Sequence, residues 1–307
     1  MTGEARKRSP VRRPIRMQLV FSSVLPQLRK AQNQDGGWGY RGGSSWTEPT
    51  AYALLALAAA GETGEDFARG LAFLEKTQRK DGGWPPYPSV EQSTWVTAMA
   101  LLALAERPGP AGWQEASGWL MRQSGRESGY LHRLREWLLG VRVEENVNYS
   151  GWPWYPGTAA WVTPTALTIL ALEKANRRQP DPSWRARIET GRGFLLSRMC
   201  WDGGWNQGST RALGYAVDSY PETTGLALLA LAGSRRQNLE KSLGCAQRHL
   251  ASCRSAEGRG WLEMALLAHG RTQAVSSPVA PTFRSLIDTA VFVVARAAAQ
   301  GRNVFLS

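Results

Sequence analysis

Two patterns of apolar residues alternate along this chain. In the first, the runs Pro49 to Leu57, Val96 to Leu104, Pro164 to Leu172 and Thr223 to Leu231 are almost wholly Ala, Leu and Thr. A helix apolar on every side has no face for water and is buried all round. In the second, Ala68 to Gln78 puts Leu71 and Leu74 on one face and charges on the other. That spacing predicts an amphipathic surface helix. The second type ends in Asp-Gly-Gly, where glycine accepts the left-handed backbone that stops a helix. The first type opens on Pro, Thr or Val; Pro tolerates the unpaired N–H of a helix start, and a threonine hydroxyl can cap it. Each unit therefore reads as an outer amphipathic helix, a glycine turn and an inner buried helix.

The unit recurs. Asp35-Gly36-Gly37-Trp38, Asp81-Gly82-Gly83-Trp84 and Asp202-Gly203-Gly204-Trp205 repeat one phrase, and Ser150-Gly151-Trp152 is a reduced copy. The interval from Asp35 to Asp81 nearly equals that from Ala51 to Ala98. The interval from Ala98 to Ala166 is longer because residues near 125–148 are inserted. Four hairpins are clear, a fifth, degenerate pair spans roughly 238–270, and a last apolar helix covers about 281–299. All-apolar inner helices close into a ring that the outer helices shield. The expected fold is all-α, an α/α toroid of about five to six helix hairpins. Such stacking also explains how 307 residues share one architecture beyond the usual limit of a single core.

Charge changes the picture only at the N-terminus. The net charge is +12, and Arg6, Lys7, Arg8, Arg12, Arg13 and Arg16 stand against one acid, Glu4. Residues 1–16 read as a basic arm, either a solvated disordered tail or a contact to an anionic membrane surface. Residues 17–307 read as a single toroid domain. No nucleic-acid motif is present. No apolar run reaches the length of a spanning helix, and Met17 to Leu25 is too short and polar for a secretory core. Three cysteines, Cys200, Cys245 and Cys253, form no disulfide framework. The expectation is a cytoplasmic protein, with peripheral membrane contact through the arm as the alternative.

Arg69, Gly70, Phe73, Leu74, Gln78, Gly82 and Trp84 follow, in order and spacing, the whole QW pattern of triterpene cyclases. Gly191, Phe194, Leu195, Gly203 and Trp205 follow it with Met199 in place of Gln, and Leu28, Gln32, Gly36 and Trp38 follow part of it. Over roughly residues 19–232 the chain resembles the squalene–hopene cyclase and protein prenyltransferase β-subunit superfamily. The resemblance implies that the Gln amides and Trp rings tie neighbouring outer helices together, a structural role. It also implies that chemistry sits at the N-termini of the inner helices, facing the cavity mouth.

Protonating members of that family carry Asp-x-Asp-Asp just before Thr-Ala. Aligning on Thr-Ala puts Glu48 at the middle Asp in the first copy and Glu222 in the fourth, with Trp95 and Thr163 between them. Asp218 lies at the wrong spacing, and no copy has the full motif. Glu222 and Glu48 are the catalytic candidates, although a glutamate at a helix start also serves the helix dipole. A lone carboxyl is too weak an acid for an isolated alkene, and an epoxide or allylic group is an easier target. Trp46, Trp95, Trp161 and Tyr220, just before or at the inner-helix starts, together with Asp218, are the substrate-binding candidates. Their rings either stabilise a carbocation or pack the end of the ring.

The prenyltransferase zinc ligands are absent: Cys200 and Asp202 stand in reversed order on an outer-helix end, and no His opens an inner helix. Cys245, His249 and Cys253 lie on one face of a helix and could hold a soft metal, yet such a stripe is commonly core. The reading adopted has no metal and no cofactor. The function expected is an isoprenoid-processing cyclase or isomerase acting on a prenyl or triterpenoid substrate, its partner an apolar isoprenoid or lipid ligand. The alternative is a non-catalytic toroid that scaffolds a lipid or protein partner.

Overall fold

Every residue of the second all-apolar run is buried, and that burial is the organising fact of the molecule. The computed structural model describes residues 15–107, 112–126, 149–212, 215–234, 238–271 and 283–307. The arm up to residue 14 and most of the insertion, residues 127–148, lie outside the described residues.

The outer helices are α1 (Ile15–Lys30), α3 (Glu65–Thr77), α5 (Trp113–Arg122), α7 (Pro182–Ser197) and α9 (Glu240–Ser252). The inner helices are α2 (Thr47–Ala60), α4 (Val96–Leu104), α6 (Val162–Arg178), α8 (Pro221–Ala230), α10 (Ala256–Ala268) and α11 (Leu286–Ala298). Contacts run α2 to α4 to α6 to α8 to α10 to α11 and back to α2, so the inner helices form a closed ring. The outer helices α3, α5, α7 and α9 pack on it, and α1 covers the closing pair α11 and α2. The degenerate fifth pair and the last apolar helix are thus α9, α10 and α11. Two short ribbons accompany the helices: β1 (Trp152–Pro153) with β2 (Ala160–Trp161), and β3 (Arg211–Ala212) with β4 (Tyr215–Ala216), both antiparallel. No described helix is long and apolar enough to cross a membrane.

The difference between inner and outer helices follows the residue pattern. In α3 only Phe67, Gly70, Leu71, Phe73 and Leu74 are buried, the one face the sequence allowed. Burying each such side chain contributes about 1.5–3 kcal/mol, so a one-faced helix docks and a two-faced one sits inside.

The recurring Trp joins the two layers. The indole N–H groups of Trp38, Trp84, Trp152 and Trp205 donate to the carbonyls of Leu28, Leu74, Leu120 and Leu195 on the preceding outer helix, at 2.6–2.8 Å. Their backbone N–H groups donate to Thr50, Thr97, Thr165 and Thr224 on the following inner helix. These threonines therefore do not cap their own helices, as their position suggested; a buried tryptophan N–H is the more costly group to leave unpaired. The amides of Gln32 and Gln78 each bond their own glycine turn and the start of the next outer helix, at Asp66 and Gly112. That is the structural role the QW pattern implied.

The C-terminal segment closes one end of the ring. Lys174 near the end of α6 pairs with Glu106 and donates to the Val304 carbonyl at 2.5 Å. This anchors Phe305, whose ring lies 5.1 Å from that of Trp261 in the ring interior. The N-terminal ends of the inner helices stay open.

Candidate active-site cavity

At that open end, three inner helices place a glutamate at the same position. Glu48 is the second residue of α2, Glu222 of α8 and Glu257 of α10. The preceding residues fix this. Trp46, Tyr220 and Ser255 hold extended backbone at the N-caps, and Pro221 fits the first turn because it has no N–H to lose.

The cavity beneath has a volume of about 460 Å³, within the range of small-molecule sites. Its rim layer is Glu48, Trp95, Thr163, Glu222 and Glu257, one residue at the start of each of five inner helices. One helical turn deeper, each four residues on, lie Tyr52, Leu167, Leu226 and Trp261. Trp154, Gln207 and Tyr220 complete the mouth. Trp95 and Trp154 meet edge to face with centroids 4.7 Å apart, and Tyr52 lies 6.4 Å from Trp261. Three carboxyls thus share a chamber walled mainly by aromatic and aliphatic side chains.

Burial shifts the protonation of Glu48 and Glu257. It raises the pKa of Glu48, partly opposed by the hydroxyl of Tyr40, which donates a short hydrogen bond to Glu48 Oε2. Burial pushes Glu257 up to about 7, helped by the charges of Glu222 and Glu48 and opposed by the Trp261 indole N–H, 3.4 Å from Glu257 Oε1. A low-dielectric chamber disfavours each added negative charge. Glu222 packs on the first turn of α10, where a side chain on Gly258 would stand 2.8 Å from its Oε1. Glycine there lets the acid lie against the helix.

Of the candidates read from the sequence, Glu48, Glu222, Trp95 and Tyr220 come together here. Trp46, Trp161 and Asp218 do not line the cavity. Trp46 is the N-cap of α2 but packs between Tyr40 and Tyr87. Trp161 pairs through its backbone with Trp152 in the first ribbon, which leaves its ring exposed. Asp218 is exposed and accepts the Trp201 indole N–H at 3.0 Å. Glu257, Tyr52, Trp154, Gln207 and Trp261 went unread. Tyr52 and Trp261 could have been found by counting one turn past the rim glutamates. Glu257 carried only the weak signal of a Ser255 cap, because its hairpin has no Gly-Gly-Trp.

The chain's relatives lie where this architecture points. The family model for the squalene–hopene cyclase C-terminal domain matches residues 11–89. Lanosterol synthase erg7A of Aspergillus fumigatus is 38% identical over 128 residues, 37% of this chain and 17% of the relative. Drimenyl diphosphate synthase of Streptantibioticus cattleyicolor is 36% identical over 93 residues, 27% of this chain and 17% of the relative. Over these segments the chain is similar to squalene–hopene cyclases and their relatives. The chain matches less than a fifth of the length of these two curated relatives. Its fold matches the type II terpene cyclase MstE from Scytonema, solved with geranylgeranyl dihydroxybenzoate, at a TM-score of 0.61 and 16% identity, covering 93% of this chain and 97% of that one. The α-mannanase BT2949 of Bacteroides thetaiotaomicron matches at a TM-score of 0.62 and 10% identity, covering 92% and 96%. At such identities the likeness is one of fold alone, and toroids host unrelated chemistries.

Proposed function

We propose that this chain binds a prenyl chain in the rim cavity and initiates its cyclisation or isomerisation by proton transfer from a glutamic acid. The observation that supports the reading is the cavity itself: Glu48, Glu222 and Glu257 face the rings of Trp95, Trp154 and Trp261 across one chamber. Burial favours the protonated form of a carboxyl, and a protonated carboxyl held against a substrate can donate its proton. Such an acid is weak by the standard an isolated alkene demands. The substrate that fits it carries an epoxide or an allylic oxygen, whose protonation opens a carbon–oxygen bond and leaves a cation on the chain. The aromatic faces then hold that cation, each contributing roughly 0.5–2 kcal/mol. Tyr40 orients Glu48, and Glu222 and Glu257 set the local charge or receive the proton that ends the reaction.

The test is incubation of the purified protein with squalene, epoxysqualene and shorter prenyl alcohols and epoxides, with products read by gas chromatography and mass spectrometry. For an accepted substrate, Glu48→Gln or Glu222→Gln lowers turnover at least about 10²-fold, the usual worth of general acid catalysis. Glu257→Gln is included in the same series. Full turnover in all three variants removes the acid assignment. Failure of every prenyl compound to turn over or bind leaves the scaffold reading, in which the toroid holds a protein or another lipid.

A further inference from the structure

Away from the cavity, on the outer wall, one repeat departs from the others. In each Asp-Gly-Gly-Trp turn the Asp bonds the second glycine's N–H and a serine hydroxyl: Asp35 with Ser45, Asp81 with Ser93 and Asp202 with Ser219. The first glycine of each turn presses on the main chain of the next outer helix at Arg69, Glu115 and Lys241. Counting four and eight residues on gives Phe73 and Thr77, then Trp119 and Gln123, then Cys245 and His249. Only the last turn meets a thiol and an imidazole there. The ligand atoms of Asp202, Cys245 and His249 all lie within 4.8 Å of one another, and Cys245 is buried.

We propose that Asp202, Cys245 and His249 form a zinc site that fastens α9 to the preceding turn. The donor set is one carboxylate oxygen, one thiolate sulfur and one imidazole nitrogen. Sulfur and nitrogen donors suit zinc and discriminate against calcium and magnesium. Carboxylate and thiolate together neutralise the divalent cation, so a half-buried site carries no net charge. Ser219 Oγ lies 2.6 Å from Asp202 Oδ2, 2.7 Å from His249 Nε2 and 3.5 Å from Cys245 Sγ. It gathers the three candidate ligands around one hydroxyl. On binding, the thiol gives its proton to solvent, the Ser219 hydroxyl turns away from the centre, and water fills the fourth position.

A second, separate feature marks the same turn. The first two turns are clasped by Gln32 and Gln78, each with two hydrogen bonds. The third uses Arg187, which stacks 3.4 Å from the Trp152 ring centroid and donates to Gln123, Ser150 and Gly151. In the fourth the Gln position is Met199, whose sulfur accepts a Ser242 hydroxyl at 3.7 Å. The fourth turn, with Met199 in place of a glutamine amide and its backbone held by Lys241 and Arg248 at the Trp201 and Asp202 carbonyls, is the one that gathers metal ligands. Cys253, on the same helix face in sequence, is not in the cluster.

The experiment uses tag-free, chelator-stripped full chain titrated with zinc alone and, separately, with cobalt(II) as a spectroscopic stand-in. The expected result is one zinc per chain and a sulfur-to-cobalt charge-transfer band in the near ultraviolet. Cys245→Ser and His249→Ala weaken zinc binding at least about 10²-fold, and Cys253→Ser leaves it unchanged. Folded wild-type protein that takes up no metal, or takes up cobalt without the sulfur band, overturns the proposal whether or not the variants fold. Retention of the band in Cys245→Ser, or its loss in Cys253→Ser, overturns it equally.

Discussion

Gly82→Ala and Gly157→Ala separate two reasons for glycine that coincide at the hairpin turns. Both residues have left-handed backbone, with φ of +92° and +80°. An alanine in that region costs roughly 1–2 kcal/mol. At Gly157 nothing else opposes the change, for no atom lies within 4 Å of an added Cβ. At Gly82 the added Cβ would stand 2.5 Å from the Glu115 carbonyl oxygen and 2.8 Å from its carbon. Those are main-chain atoms of α5, so no side-chain rotation relieves the clash. The turn must move nearly an ångström from α5, which strains packing by about 1–3 kcal/mol. The movement also pulls the Gln78 amide from the Gly112 carbonyl, a 2.7 Å bond worth about 1 kcal/mol. The expected loss is about 3–6 kcal/mol for Gly82→Ala against about 1–2 for Gly157→Ala. With an unfolding entropy near 2.1 cal/mol/K per residue, each kcal/mol lowers the Tm of a chain this long by about 1.5 °C. Thermal and urea melts followed by helical circular dichroism measure the gap. Equal losses in the two variants would show that the glycine turns are kept for backbone conformation alone and that the hairpins do not press on each other.

Trp84→Ala should cost about 3–5 kcal/mol, since the ring is fully buried, and should leave any catalysis by the folded fraction intact; lost turnover with an unchanged melt defeats this. Glu257→Gln should stabilise the protein above pH 7. The folded carboxyl titrates at about 7 against about 4.5 when unfolded, so the wild type loses stability as pH rises between those values. The gain, on the order of 1–3 kcal/mol, should vanish by pH 4 in urea melts, and a pH-independent difference would contradict the raised pKa. Lys174→Ala strands Glu106 and the Val304 carbonyl and should cost about 3–5 kcal/mol, whereas Lys174→Met with Glu106→Leu should restore most of it; a double variant as unstable as the single would refute that.

What the sequence determined by itself is what repeats within a hairpin. The all-apolar runs required burial and the one-faced segments required a surface, so inner and outer helices were legible from Leu71, Leu74 and the Ala/Leu phrases alone. The tie from Trp84 to Leu74 spans only ten residues, and its copies recur wherever the phrase recurs. Glu48 and Glu222 were legible for the same reason, because each sits at a fixed offset from a repeated Thr. Only the tertiary structure decided which of these positions share a chamber. That depends on ring closure, in which α10 and α11, the least repeat-like helices, bring Glu257 and Trp261 beside Glu48 and Tyr52 from the other end of the chain. The Asp202 cluster is of the same kind. The sequence aligned Cys245, His249 and Cys253 along one helix, but the partner from the neighbouring turn replaces Cys253. Periodicity reports which way a side chain leaves its own helix; which foreign group it then meets is fixed by how the hairpins stack and close.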